Sequence, residues 1–402
     1  MGTAYAMRCV MIPALTKRLL PILAVLTLIT ATADAVSASF IESAPARLFR
    51  SKRKKPFLRP EDTSKIFKLK EDFVAKHRAS YSHELVVKDV RDQRLWGGCV
   101  SYSTIARLEL ETGIPLSEQY NILVNLYQNS VELLRSDSTE LAAMGLSMHV
   151  SADRLELFGA VPAEVWKGPR IDFEKDAAVG EALLRLVNSQ IVEFRLKAAK
   201  TKDAVMLEWL KRKYEARIRA RIESLGIELP DTFTVGGVEY HSPQDFFERA
   251  LKPHYDAPRS YRPNRGGDFS GMHFVPYQDS SSTYEPMQDV VRRVKESILA
   301  GHPVVVAYSG GMPYLDKSTG IMSVSAFHVP RGYREPDPAY LDAFGSSRNM
   351  GHVAVIVGVD LDDRGEVVKF KLRNSWGEGW GDRGYGHMYR DFFEMFVYNT
   401  WF

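Results

Sequence analysis

The stretch VVKFKLRNSWGEGWG, residues 367–381, decides how this chain is to be read. Val368, Phe370 and Leu372 alternate with Lys369, Lys371 and Arg373, the period-2 pattern of a strand with one buried face. Upstream, DDRG at 362–365 reads as a turn and HVAVIVGVD at 352–360 as a second, more apolar strand, so the two are expected to pair antiparallel. That pairing would set His352, at the head of one strand, beside Asn374, at the foot of the next. Asn374 would then accept a hydrogen bond from one ring nitrogen of His352 and fix its tautomer, with Trp376 covering the bond.

An oriented imidazole needs a group to act on, and DQRLWGGCVSYS, residues 92–103, offers one. Val100, Tyr102, Ile105 and Leu108 recur at helical spacing, which places Cys99 in the first turn of a helix running to about Thr112, entered through two glycines. A helix N-terminus lowers a thiol pKa, and a neighbouring imidazolium lowers it further. No histidine lies within fifteen residues of Cys99, so His352 must be brought to it by the fold. Taken alone, a lone cysteine is most often a small buried hydrophobe. The side-chain amide of Gln93 is placed to pair with the Cys99 backbone N–H as an oxyanion hole.

Composition sets the frame. The chain has 402 residues, 45% hydrophobic and 26% charged, an ordinary globular balance. Arg8, Lys17 and Arg18 precede the apolar run LLPILAVLTLIT, followed by small residues at Ala33 and Ala35, so residues 1–35 read as a signal peptide. An uncleaved anchor is the other reading of that segment; either one puts the body outside the cytoplasm, secreted or periplasmic. Without it the formal charge falls from +3 to +1, which argues against nucleic acid as a partner. Cys9 leaves with it, and a chain with one cysteine has no internal disulfide. Residues 36–84 form a basic N-terminal segment whose RLFRSKRKKPFLRP run reads as a solvated leader.

Between Cys99 and the paired strands the pattern is helical. LSEQYNILVNLYQNSVELL, VGEALLRLVNSQIVEFRLKAA and DAVMLEWLKRKYEARIRARIESLG are long helices, and SPQDFFERAL a shorter one capped by Ser242 and anchored by Phe246 and Phe247. MQDVVRRVKESILAG is a further helix, after which PVVVAYSGG opens the β-rich end. A helix-rich first part and a β-rich last part make an α+β chain. No HExxH, close histidine pair or phosphate loop occurs, so no metal and no cofactor is expected.

DQRLWGGCVSYS, MGHVAVIVGVD and LRNSWGEGWGDRGYG resemble, in order, the three active-site motifs of papain-like cysteine peptidases. SEQYNILVNLY, FGAVP and YLDAFGSSRNMGHVAVIVGV are similar to parts of the bleomycin hydrolase and aminopeptidase C branch. The resemblance implies a two-part fold, a helical part carrying the nucleophile with large helical insertions and a β-rich, barrel-like part. The peptidase domain would span 85–402 with its insertion at about 115–298. It also implies Cys99 as nucleophile, His352 as general base and then acid, Asn374 as orienter, Gln93 as oxyanion donor, Trp376 as support, and Gly98 and Gly145 as substrate-binding positions. Homo-oligomer assembly comes with the branch and is left open here.

The sequence departs from the branch at Val100, where tryptophan usually follows the nucleophile, and around Met144, Gly145 and Leu146, where substrate-binding glycines are expected. It also ends at MFVYNTWF, without the branch's blocking tail, which leaves amino-end trimming and endopeptidase cleavage both open. Two functions follow. One is an exported cysteine peptidase acting on peptides or proteins through a thioester, with no membrane span after signal cleavage. The other is a catalytically weak or inactive papain-like scaffold.

Overall fold

A computed structural model describes residues 67–87, 89–93, 98–142, 148–166, 177–223, 232–264, 282–309, 314–328 and 351–402. The signal peptide, most of the basic segment, and Gly145 with its neighbours lie outside the described residues. In chain order the elements begin with β1 (Lys68–Leu69), α1 (Phe73–Lys76) and β2 (Tyr81–Glu84). Five helices follow: α2 (Cys99–Thr112), α3 (Glu118–Arg135), α4 (Met148–Phe158), α5 (Ala177–Ala198) and α6 (Ala204–Glu223). Next come β3 (Phe233–Val235), β4 (Val238–Tyr240), α7 (Pro243–Phe246), β5 (Ser260–Asn264), β6 (Thr283–Pro286) and α8 (Met287–Leu299). The last part holds β7 (Val304–Ser309), β8 (Ile321–Met322), β9 (Phe327–His328), β10 (Gly351–Leu361), β11 (Val367–Arg373), β12 (Tyr385–Tyr389), α9 (Arg390–Phe396) and β13 (Val397–Trp401).

The helices start where local chemistry starts them. Ser117 accepts from the Tyr120 N–H to cap α3, and Ser242 accepts from the Asp245 N–H to cap α7, which ends at the fully buried Phe246 and is followed by the equally buried Phe247. α7 does not continue as a regular helix but widens into a π turn over Phe247–Leu251. On α6, Leu210, Tyr214, Ile218 and Ile222 are buried at four-residue spacing against a cluster shared with α3 and α5, while its basic residues cover the outside. No described helix is long and apolar enough to cross a membrane.

The main sheet runs β6-β5-β13-β7-β10-β11-β12-β8, with β2 pairing the far half of β10. The expected β10–β11 antiparallel pair is present, turned through Asp362–Gly365 with Gly365 at φ +76°. The barrel-like expectation is overturned, because the sheet is open. β6 and β8 are its two ends, and among the described residues no strand pairing joins them.

Helices, not a returning strand, cover the open face. Val290, Val294 and Ile298 of α8 and Phe392, Phe393 and Phe396 of α9 fill the cluster over Val304, Val306, Ile356 and Phe370. The opposite face receives α2, where Val100 and Ala106 meet Val305, Ala307, Val353 and Val355. Val100 therefore acts as a packing residue between the nucleophile's helix and the sheet. Arg373 also departs from the simple alternation: it is buried, not solvated, and pairs with Glu109 of α2 at 3.3 Å.

Candidate active site

Cys99 opens α2, and Gly98 before it supplies no side-chain cap, so the first backbone N–H groups of the helix are left for the sulfur. Gly98 also has a packing reason to be glycine, since a Cβ there would sit 2.8 Å from the Cδ1 of Ile122. Cys99 is a free, partly exposed thiol. Its sulfur lies by the N–H of Val353, the residue after His352, so α2 and the head of β10 bring the two candidate groups together.

The far side of the imidazole is built from β11 and the loop after it. His352 Nε2 lies 2.7 Å from Asn374 Oδ1, and the same oxygen accepts the Ser375 N–H at 2.8 Å. The ring nitrogen is therefore the donor, which leaves Nδ1 as the free acceptor. Trp376 lies over the imidazole, ring centroids 4.3 Å apart and tilted 32°, and is itself met edge-on by Trp380. Tyr308, paired with His352 across β7 and β10, closes the other side edge-on at 5.5 Å.

Gln93 joins this group through backbone pairing. Its N–H donates to Ser375 O at 2.7 Å, and Gly377 N–H donates to Arg91 O, so residues 91–93 run beside 375–377. The Ser375 hydroxyl donates to Gln93 Oε1, which ties the carbonyl end of the amide and leaves the NH2 end as the donor. Sequence reasoning passed over Ser375, although it stands inside the asparagine motif.

Electrostatics in the resting site favour neutral groups. Burial pushes the Cys99 thiol up, and the N–H groups of Val353, Val100 and Cys99 itself only partly oppose this. Burial lowers His352 to about 4, against the opposing pull of the Asn374 hydrogen bond. Desolvation thus opposes the populated thiolate expected from the helix N-terminus, and it favours the neutral form of each group.

Two tyrosines that no motif flagged complete the surroundings. Burial raises both Tyr308 and Tyr398. Behind Asn374, Arg91 binds Glu118 at 2.6 Å and Glu109 at 2.9 Å, and Arg373 binds the other Glu109 oxygen. Those charges lie 264 residues apart in the chain for Arg373 and Glu109, so no local pattern announces them. Among the described residues no group of three His, Cys, Asp or Glu side chains is arranged to hold a metal ion.

This architecture is a papain-superfamily, C1-like cysteine-peptidase fold, related at low to moderate identity and coverage to the aminopeptidase C and W branch. The Peptidase C1-like family model matches residues 288–401, the part carrying His352 and Asn374. Aminopeptidase C of Lactobacillus helveticus is 49% identical over 51 residues, 13% of this chain and 11% of that protein. Aminopeptidase W of Lactobacillus delbrueckii subsp. lactis is 31% identical over 89 residues, 21% of this chain and 20% of that protein. The matched segments thus span a fifth or less of either relative. Over the whole fold, PepW from Lactobacillus rhamnosis superposes with a TM-score of 0.64 at 20% identity, covering 83% of this chain and 84% of that one.

Proposed function

We propose that the protein is an exported cysteine peptidase that cleaves peptide bonds through Cys99, His352 and Asn374. The observation that carries this reading is the buried 2.7 Å bond from His352 to Asn374 under Trp376, with Cys99 beside the next residue of the same strand. Such an arrangement has little structural purpose in a sheet end that Tyr308 and Trp376 already pack.

Because the resting pair is neutral, the proton moves as the bond forms. Cys99 sulfur attacks the substrate carbonyl while His352 Nδ1 takes the thiol proton, and the Gln93 NH2 with the Cys99 N–H receives the developing oxyanion. Collapse expels the amine, which takes that proton from His352, and leaves a thioester. Water, deprotonated by His352, then releases the acid and restores the thiol. Asn374 holds the ring in the one tautomer that serves both steps.

Export rests on residues 1–35, and the peptidase domain on residues 85–402 with the 115–298 insertion. The names of the relatives suggest amino-end trimming, and endopeptidase cleavage is the alternative. Matched peptides with free and acetylated amino ends separate the two modes. Desolvation of both Cys99 and His352 favours a second reading, a papain-like scaffold with weak turnover. Incubation with an epoxide inhibitor of papain-like enzymes decides between them by intact mass. Wild-type protein should gain one adduct and Cys99→Ala none; folded wild type without an adduct would leave the scaffold.

A further inference from the structure

Among the described residues Arg262, on the face of the sheet that meets the nucleophile's helix, has no ion pair. Arg262 stands on β5, and its neighbours show which way it faces. Ser260 pairs with Trp401 across β13, and its hydroxyl bonds Asn399 Oδ1. Strand alternation then puts Arg262 on the face of Ser260, Asn399 and Trp401. That is the face packed by α2, since Trp401 shares its cluster with Val100 and Ala106, against which Cys99 and Tyr398 also pack.

Arg262 is poorly satisfied where it stands. Its Nε is buried without a hydrogen bond, and among the described residues its Nη1 reaches the exposed Tyr284 hydroxyl, at the long distance of 3.5 Å. Glu285, the next residue of β6, faces the other side of the sheet, where Arg293 takes it at 2.6 Å. A buried guanidinium nitrogen left unpaired is costly, and the fork it belongs to is shaped for two-point contact with a carboxylate.

Tyr398 links this cation to the nucleophile. Its hydroxyl fills the space beside Gly351, the residue before His352, where a Cβ would come within 2.4 Å of it. Burial raises that hydroxyl, and the Arg262 guanidinium pulls against the rise. β5 is three strands from β10 by way of β13 and β7, about 14 Å at roughly 4.8 Å per strand. An extended peptide advances about 3.4 Å per residue, so this span is about four residues, and the reach of the arginine side chain brings the group met by Arg262 to within about four residues of the bond that is cut.

We propose that Arg262, with the Tyr284 hydroxyl beside it, forms a subsite for a carboxylate of the bound peptide. The substrates favoured are then peptides with an acidic side chain, or a free α-carboxylate, at that distance. This rests on the peptidase reading of Cys99.

The test scans Glu against Gln at each position up to four residues on either side of the cleaved bond, in peptides ending as free acid or amide. At one position wild type should prefer Glu, or the free acid over the amide, by about tenfold to a hundredfold in kcat/KM. The two arms tell a side-chain carboxylate from a terminal one. Arg262→Gln should bring that ratio to about one, Arg262→Lys should keep part of it, and Arg262→Glu should turn the preference to Lys. A wild-type ratio near one at every position and with both ends overturns the proposal without need of any variant.

Binding of the same peptides to Cys99→Ala protein, measured by calorimetry, keeps the question apart from turnover. Tighter binding of the acidic peptide upholds the subsite even if Cys99 proves unreactive, and equal binding removes it.

Discussion

His352→Gln should abolish a pH-dependent part of the stability of this protein, and the sign follows from burial. The ring is held at about 4 in the fold, against an ordinary value of 6.5. A group depressed in this way contributes stability that is complete above pH 6.5, is lost as pH falls toward 4, and is level below. At 1.36 kcal/mol for each pH unit between the two values, the loss is about 3 kcal/mol.

Glu118 slopes the other way. Burial raises it from 4.5 to about 7 even beside Arg91, so its contribution is present below 4.5 and fades as pH rises through 7. The two trends oppose each other between 4.5 and 6.5, and the wild-type curve alone would hide both. The useful quantity is the difference between wild type and His352→Gln in urea unfolding free energy at pH 7.5, 6, 5 and 4. Glu118 cancels in that difference, which should move by about 3 kcal/mol in disfavour of wild type on acidification. A difference that stays flat refutes the neutral resting pair. One that moves in the opposite direction shows an imidazolium held by a thiolate at neutral pH.

Other perturbations test separate parts of the fold and site. Asn374→Ala should slow epoxide labelling of Cys99 by at least about tenfold, because the imidazole loses its oriented tautomer, while far-ultraviolet circular dichroism stays unchanged. Ser375→Ala should lower kcat with little change in KM on a cleaved peptide, since the Gln93 amide is released from its anchor. Glu109→Gln strands Arg373, which is 6% exposed, and should cost about 3 kcal/mol in urea unfolding; the double change with Arg373→Met should recover much of it. Gly159→Ala should cost about 3 kcal/mol or more, because φ is +75° there and the new Cβ would lie 2.0 Å from the Pro243 carbonyl oxygen.

What could be read from the sequence was whatever is written in short spans. The α2 helix from Cys99, the Ser242 cap, the Asp362–Gly365 turn and the β10–β11 pair all depend on residues a few positions apart. Sheet closure depends instead on how the ends of an eight-strand path meet. The side chains of α8 and α9 that cover one face are written far from the strands they cover, so their pattern says that they are amphipathic but not that they leave the sheet open. Arg373 shows the same limit at one residue. Its place in the alternation predicts solvent, and only the arrival of Glu109 on α2 explains its burial.

The site divides along the same line. His352 and Asn374 were legible because a turn fixes the register between them, and Cys99 because a helix start is local. The charge state was not legible, since it is set by how completely Tyr308, Trp376 and the α2 helix exclude water from the pair. Desolvation acts on thiolate and imidazolium alike, whereas the helix N-terminus helps only the thiolate, and in this fold the first effect is the larger. A motif therefore names the candidate atoms, and the packing around them bears on which of them carries the proton.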